Sequence, residues 1–413
     1  MKIRNVRIID PGTGRDEISD IYAHKGIIVS KEDYEKAVGE RDDEVIDGSG
    51  LILGPGFVDV HAHFRDPGQE YKEDIHTGAM AAAKGGYTSV VLMANTVPAV
   101  DSVKTLDYVL KKGEREQINI YSCCSVTRGL AGTEMTDFDE LKRFGAAGFT
   151  DDGKPILDEE LLKRAFEKAA QLDVPVSLHE EDPSYITSNG SNKTSPRQAE
   201  ITLIERDTEL ARDSKVKLNI QHISTLEGVD AVRRAKENNS NIHAEATPHH
   251  IALTESAVEE YGTLAKMNPP LRTEEDREAI WEGLSDGTID IIATDHAPHS
   301  KEEKDRDFKD APSGIIGLET AFCVVNSVLI KKEIIDYIKL FELMSLNPAK
   351  LYKLNAGSLA EGSPADFVIF DPDETTVFDS FCSKSSNSPF LGRSLCGRIK
   401  YTVCGGAVVY SDK

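Results

Sequence analysis

Between residues 54 and 355 the chain alternates short apolar runs with longer stretches in which apolar residues recur every three or four positions. The first kind reads as strands buried on both faces, the second as helices that cover them. Eight strands can be marked: GFVDVHAH, TSVVLMANT, INIYSCCSV, AAGFTDD, VPVSLHEE, VKLNIQHIS, IHAEATPHH and IDIIATDHAPH. A helical stretch follows each, from EDIHTGAMAAAKGG after the first to GLETAFCVVNSVLIKK after the last. Eight units of this kind predict an α/β chain folded as a (β/α)8 TIM barrel. A doubly wound open sheet would want a glycine-rich phosphate turn behind its first strand, and none is there.

Outside that stretch the texture changes. KIRNVRIID, ISDIYAHKGIIVS and EVIDGSGLIL at one end, and ADFVIFDP, TTVFD and RIKYTVCGGAVVY at the other, are β-type runs split by Gly, Pro and Asp. The expectation is a composite small β domain from residues 1–53 and 356–413, beside a barrel domain over 54–355.

Most of the strands are apolar at the start and polar at the end. The polar ends carry His61 and His63, Asn95, Asp151 and Asp152, His179, His222, and Asp295. In a TIM barrel all these positions surround one opening, the face that holds active sites. Closure turns a scattered list into one constellation. His61 and His63 lie two apart on a strand, so both imidazoles aim at one place. A single such histidine is more often a hydrogen-bonded structural residue; six groups at the strand ends of one barrel are not explained that way. Four imidazoles and two carboxylates suit zinc-like divalent ions and exceed what one tetrahedral ion takes, which implies a two-metal site. The fourth strand end offers Asp151, Asp152 and Lys154 as a bridge, and an aspartate is the better candidate because Lys154 lies beyond the strand.

Charge narrows the partners. With 48 Lys and Arg against 71 Asp and Glu, the formal net charge is −23. That argues against nucleic acid or an anionic membrane as a partner, and most of the excess reads as ordinary solvated surface. The six cysteines show no C-x-x-C pair, and no apolar run has the length of a signal or membrane segment, so a cytoplasmic protein with free thiols is expected.

The segments GFVDVHAHFRDPGQEYKEDIHTGAMAAAKGGYTSVVLMANTVP, GFTDDGKP, QHISTLEG, MNPPLR, IATDHAPHSKEEK and GSPADFVIFDP together resemble the amidohydrolase superfamily and, within it, the type I dihydroorotases. The resemblance spans the barrel and both flanking β segments. It implies reversible hydrolysis of (S)-dihydroorotate to N-carbamoyl-L-aspartate in de novo pyrimidine (UMP) biosynthesis. Two Zn2+ per chain would be held by His61 and His63, by His179 and His222, by Asp295, and by Asp152 as the bridge beside a hydroxide. That hydroxide would attack the ring carbonyl, with Asp295 as catalytic acid and base. Arg65, Asn95 and His299, with His63 beside them, would hold the substrate carboxylate, while Asn268 and the backbone at Ser313 and Gly314 would contact the ring. Ala94 stands where many relatives have proline, and Ser313 where some have an aromatic residue. The resemblance also allows a homodimer and an association with aspartate transcarbamoylase. The alternatives are another cyclic amidase (a hydantoinase, dihydropyrimidinase or allantoinase), which usually bridges its metals with a carboxylated lysine, and a non-catalytic scaffold paralogue, which should have lost ligands. The charged run 300–312 reads as a loop able to close over substrate.

Overall fold

The computed structural model describes residues 1–39, 45–189 and 192–412. Three strands, Phe57–Ala62, Tyr87–Leu92 and Asn119–Ser122, pair in parallel in that order. Four more, Pro175–Leu178, Lys217–Ile220, Ile242–Ala246 and Ile291–Ile292, form a second parallel set. Phe149 joins the two sets on one side by parallel bridges to Cys124 and Val176, and Ala62 joins them on the other by a parallel bridge to His296. Counted through Phe149, eight staves close on themselves, and the protein is a (β/α)8 barrel.

Two staves are shorter than their hydrophobic runs suggest. AAGFTDD contributes only the bridges at Phe149, and the eighth strand is assigned over Ile291–Ile292 alone. Side chains take over where the ladder stops. Asp59, fully buried on the first strand, accepts the amides of His61 and Thr294 and also the Thr294 hydroxyl. Asp151 does the same for the amide and hydroxyl of Thr127. A carboxylate that satisfies two backbone or hydroxyl donors replaces the missing ladder bonds without leaving them unpaired.

The chain ends meet in one sheet, in the order Ala407–Ser411, Ser394–Cys404, Phe367–Val377, Ile52–Pro55, Lys2–Asp10, Arg15–His24 and Ile27–Val29, with Val45–Asp47 paired to Lys2–Asp10. Its core is Ile3, Ile8, Leu53, Phe367, Ile369 and Val403. The strand Ile52–Pro55 runs through Gly56 into the first barrel strand, Phe57–Ala62. One element departs from the all-β reading of this end: Lys31–Val38 is a helix, capped by Ser30 on the amide of Asp33, with Glu32 and Asp33 in its first turn. Among the described residues no helix is long and apolar enough to cross a membrane, and all six cysteines are free thiols.

Candidate functional site

The strand ends converge as barrel closure requires. His61 Nε2 lies 3.4 Å from Asp152 Oδ1 and 3.6 Å from Asp295 Oδ1. His63 Nε2 lies 3.5 Å from Asp152 Oδ2 and 3.0 Å from Asp295 Oδ1. On the far side His179 Nδ1 is 2.9 Å from His222 Nε2 and 3.8 Å from Asp152 Oδ1. Asp152 thus faces His61 and His63 on one side and His179 on the other. At the fourth strand end Asp151 is turned to Thr127 and Lys154 is exposed.

The backbone is bent to make this possible. Arg65, His222 and Asp295 have φ of 58°, 33° and 45°, left-handed values that non-glycine residues adopt at a cost. Strain of this kind persists where surrounding structure enforces it, and here it falls on three candidate site residues.

The donor set fits divalent ions. His61 Nε2 is buried, has no hydrogen-bond partner, and points at two carboxylates. Ligand atoms of His61, His63 and Asp295 lie within 4.8 Å of one another, as do those of His61, Asp152 and His222. Electrostatics ask for a cation at the same place. Burial opposes charge on His61, yet Glu245 and Asp295 hold its pKa well above the ordinary histidine value. Burial likewise opposes charge on Asp152, but the imidazoles of His61, His63 and His179 hold its carboxyl well below the usual range. Buried carboxylates that outpull the burial penalty are a site for positive charge, and imidazole with carboxylate is the set that zinc-like ions take.

Behind His61 stands a group that the sequence reading missed. Glu245, fully buried in the seventh strand, accepts from His61 Nδ1 at 2.8 Å and from Asn219 Nδ2 at 2.5 Å. Asn219 also reaches Ser177 Oγ at 3.1 Å, and Ser177 Oγ is 2.7 Å from the Tyr352 hydroxyl. This chain fixes the His61 ring with Nε2 toward the centre. An isolated glutamate inside the apolar run IHAEA was the available signal. Replacing Glu245 with glutamine is expected to weaken metal binding by about 10–100-fold; titration of the metal-stripped protein with zinc reads this, and an unchanged affinity would remove Glu245 from the centre.

The other candidates lie around the rim. Asn95 joins the two halves, accepting from His63 Nδ1 at 2.8 Å and donating to Asp152 Oδ2 at 2.9 Å. Arg65 Nη2 sits 3.5 Å from His299 Nε2. The His299 Nδ1 side meets Lys72 Nζ and Glu303 Oε2, each at 3.4 Å. Burial, then Arg65 and Lys72, push the His299 pKa down to about 3, so its ring stays neutral. Asn268 donates to Glu181 at 2.6 Å and faces His179 Nε2 at 3.4 Å. Asn268 and Ser313 line a cavity of about 690 Å3 with Glu181, Arg272 and Phe308, while Gly314 is buried beside them. The run 300–312 begins as a short capped helix, Lys301–Lys304, tied down where buried Lys304 donates to the carbonyls of Lys266, Pro312 and Gly314. His249 and His250 are in the helix Pro248–Ala252 rather than on a strand; His250 contacts Thr247 and the carbonyl of Pro269.

Residues 52–409 match the model of the amidohydrolase family. The chain belongs to that family. This amidohydrolase is 49% identical to a dihydroorotase of Clostridioides difficile, over 99% of each chain, and 44% identical to one of Lactococcus lactis, over 100% of this chain and 99% of the relative. Among solved structures it resembles the L-hydantoinase (dihydropyrimidinase) of Arthrobacter aurescens, with TM-score 0.88 and 24% identity over 99% of this chain and 96% of that one. A dihydropyrimidinase of Brevibacillus agri gives TM-score 0.85 and 24% identity, over 100% and 96%. At those identities the likeness speaks for the amidohydrolase fold, barrel and flanking sheet together.

Proposed function

We propose that this amidohydrolase is a dihydroorotase, hydrolysing (S)-dihydroorotate to N-carbamoyl-L-aspartate and closing the ring in reverse, in the cytoplasmic synthesis of pyrimidines. The observation that carries the reading is the pairing of the His and Asp centre with a partly buried Arg65 and a buried His299 on its rim, in a chain 43–49% identical along its length to proteins named dihydroorotase. Two zinc ions held by His61, His63, Asp152, His179, His222 and Asp295 would supply a hydroxide nucleophile at neutral pH and polarise the ring carbonyl.

The side chains do the rest. Arg65 and His299 hold the substrate carboxylate at one edge of the mouth, and Asn95 orders His63 and Asp152 against it. Asn268 and the backbone at Ser313 and Gly314 orient the ring. Asp295 takes the proton of the attacking hydroxide and passes it to the ring nitrogen as the carbon–nitrogen bond breaks. Closure follows the same steps backwards, with no redox cofactor or nucleotide.

The test is turnover of dihydroorotate by the purified protein, with zinc and after chelation, beside hydantoin, dihydrouracil and allantoin. Metal-dependent opening of dihydroorotate alone is the expected result. Preference for an uncharged ring would assign the chain to another cyclic amidase, and turnover of none would favour a scaffold.

A further inference from the structure

Between Phe367–Val377 and Ser394–Cys404 the chain leaves the terminal sheet and crosses to the barrel mouth. Four of its polar residues, Ser383, Ser385, Asn387 and Ser388, are buried there. The amides of Cys382 and Ser383 donate to Glu319 Oε1 at 2.7 and 3.2 Å, the Ser383 hydroxyl donates to Glu73, and Ser385 Oγ donates to the carbonyl of Lys72 at 2.8 Å. Asn387, 3% exposed, ends the series. Its Oδ1 accepts from the amide of His299 at 3.1 Å, and its Nδ2 donates to the carbonyls of Ala297 and Gly314, both at 3.1 Å. Its own carbonyl accepts from the amide of Ile316 at 3.1 Å.

One planar amide therefore ties the segment that follows the eighth strand to the segment carrying Gly314. Only asparagine among short side chains offers an acceptor and two donors in this arrangement. Aspartate would set a carboxylate against two carbonyls, and alanine would take away the partner of the His299 amide and of the Ala297 carbonyl and leave the Gly314 carbonyl to Lys304 alone. The imidazole of His299 takes its place among Arg65, Lys72 and Glu303 from a backbone that Asn387 holds.

We propose that Asn387, delivered from the C-terminal part of the chain, is a positioning residue for the substrate: it sets the spacing between His299 and Gly314, and so between the grip on the carboxylate and the contact with the ring. The inference rests on the dihydroorotase reading. Asn387 touches no reacting atom, so its loss acts first on binding.

The experiment compares N387A and N387D with N326A in the full chain. Asn326 is also fully buried and also donates through Nδ2 to two carbonyls, those of Pro372 and Cys396 at 3.0 Å each, but away from the mouth. Both Asn387 variants are expected to raise KM for dihydroorotate by about tenfold or more, with kcat changed by less than about threefold, as loss of a buried hydrogen-bond set at a binding group predicts. N326A is expected to lower Tm with KM unmoved. If the Asn387 variants instead follow N326A, losing Tm without a change in KM, the positioning role is overturned and Asn387 is structural. Should N387A fail to fold, the isosteric N387D carries the same comparison. No turnover by the unaltered chain would overturn the underlying reading instead, before any variant is compared.

Discussion

Replacing Asp295 with asparagine is expected to lower kcat for dihydroorotate by about 10²–10⁴-fold, the contribution of a positioned acid–base group. Asp295 Oδ1 is 3.0 Å from His63 Nε2 and 3.6 Å from His61 Nε2, at the end of the eighth strand and in a left-handed backbone conformation. That places one oxygen against the candidate ion site and leaves the carboxylate facing the mouth. Burial opposes its charge, but His61 and His63 hold its pKa below the usual carboxylate range, so it is ionised at neutral pH. Asparagine keeps the shape and one oxygen but cannot carry a proton between water and ring nitrogen. The metal content of the variant separates the two roles. Two ions per chain, an unchanged KM and a collapsed kcat would isolate proton transfer; loss of one ion would mark Asp295 chiefly as a ligand. A kcat within about threefold of the unaltered chain would remove Asp295 from the chemistry.

What could be read from the sequence was whatever depends on local period. The H-x-H pair at His61 and His63, the polar ends of the strands, and the alternation that predicts eight staves all follow from residues near one another in the chain. The pair Asp151 and Asp152 shows where that stops. Adjacent residues on an extended segment point to opposite sides, and only the distant Thr127 decides which carboxylate is turned away from the histidines. Glu245 was overlooked for the same reason: its partner His61 lies 184 positions earlier. The helix Lys31–Val38 carried its own signal in Ser30 and the acidic first turn, obscured by the strand-like runs on either side. Asn387 is the extreme case. Nothing local in the polar run CSKSSNS marks Asn387 as buried; its burial comes with distant groups, the amide of His299 and the carbonyls of Ala297 and Gly314.

Arg65 gives the sharpest test of substrate choice, and Arg65→Met is expected to raise KM for dihydroorotate by about 100-fold, the worth of a two-point charged hydrogen bond near 3 kcal/mol. The neighbouring acid does not neutralise Arg65. Asp66 is taken by Lys112 at 2.8 Å and by the Tyr108 hydroxyl at 2.9 Å. Arg65 itself donates through Nε to the carbonyl of Pro298 at 3.3 Å and approaches His299, and among the described residues it forms no ion pair. Burial pushes its pKa down from the usual arginine value, which raises the return on an incoming carboxylate that the guanidinium fork can hold at two points. Lysine in its place keeps the charge but not the fork, so Arg65→Lys should fall between the two in KM. A carboxylate clamp also predicts a change in selectivity. The Met variant should lose its preference for dihydroorotate over dihydrouracil, a ring without the carboxylate, because only the charged substrate loses a partner. Equal loss toward both rings would instead make Arg65 a brace for the loop over the mouth, and a KM within about twofold would leave the carboxylate to His299 and Asn95.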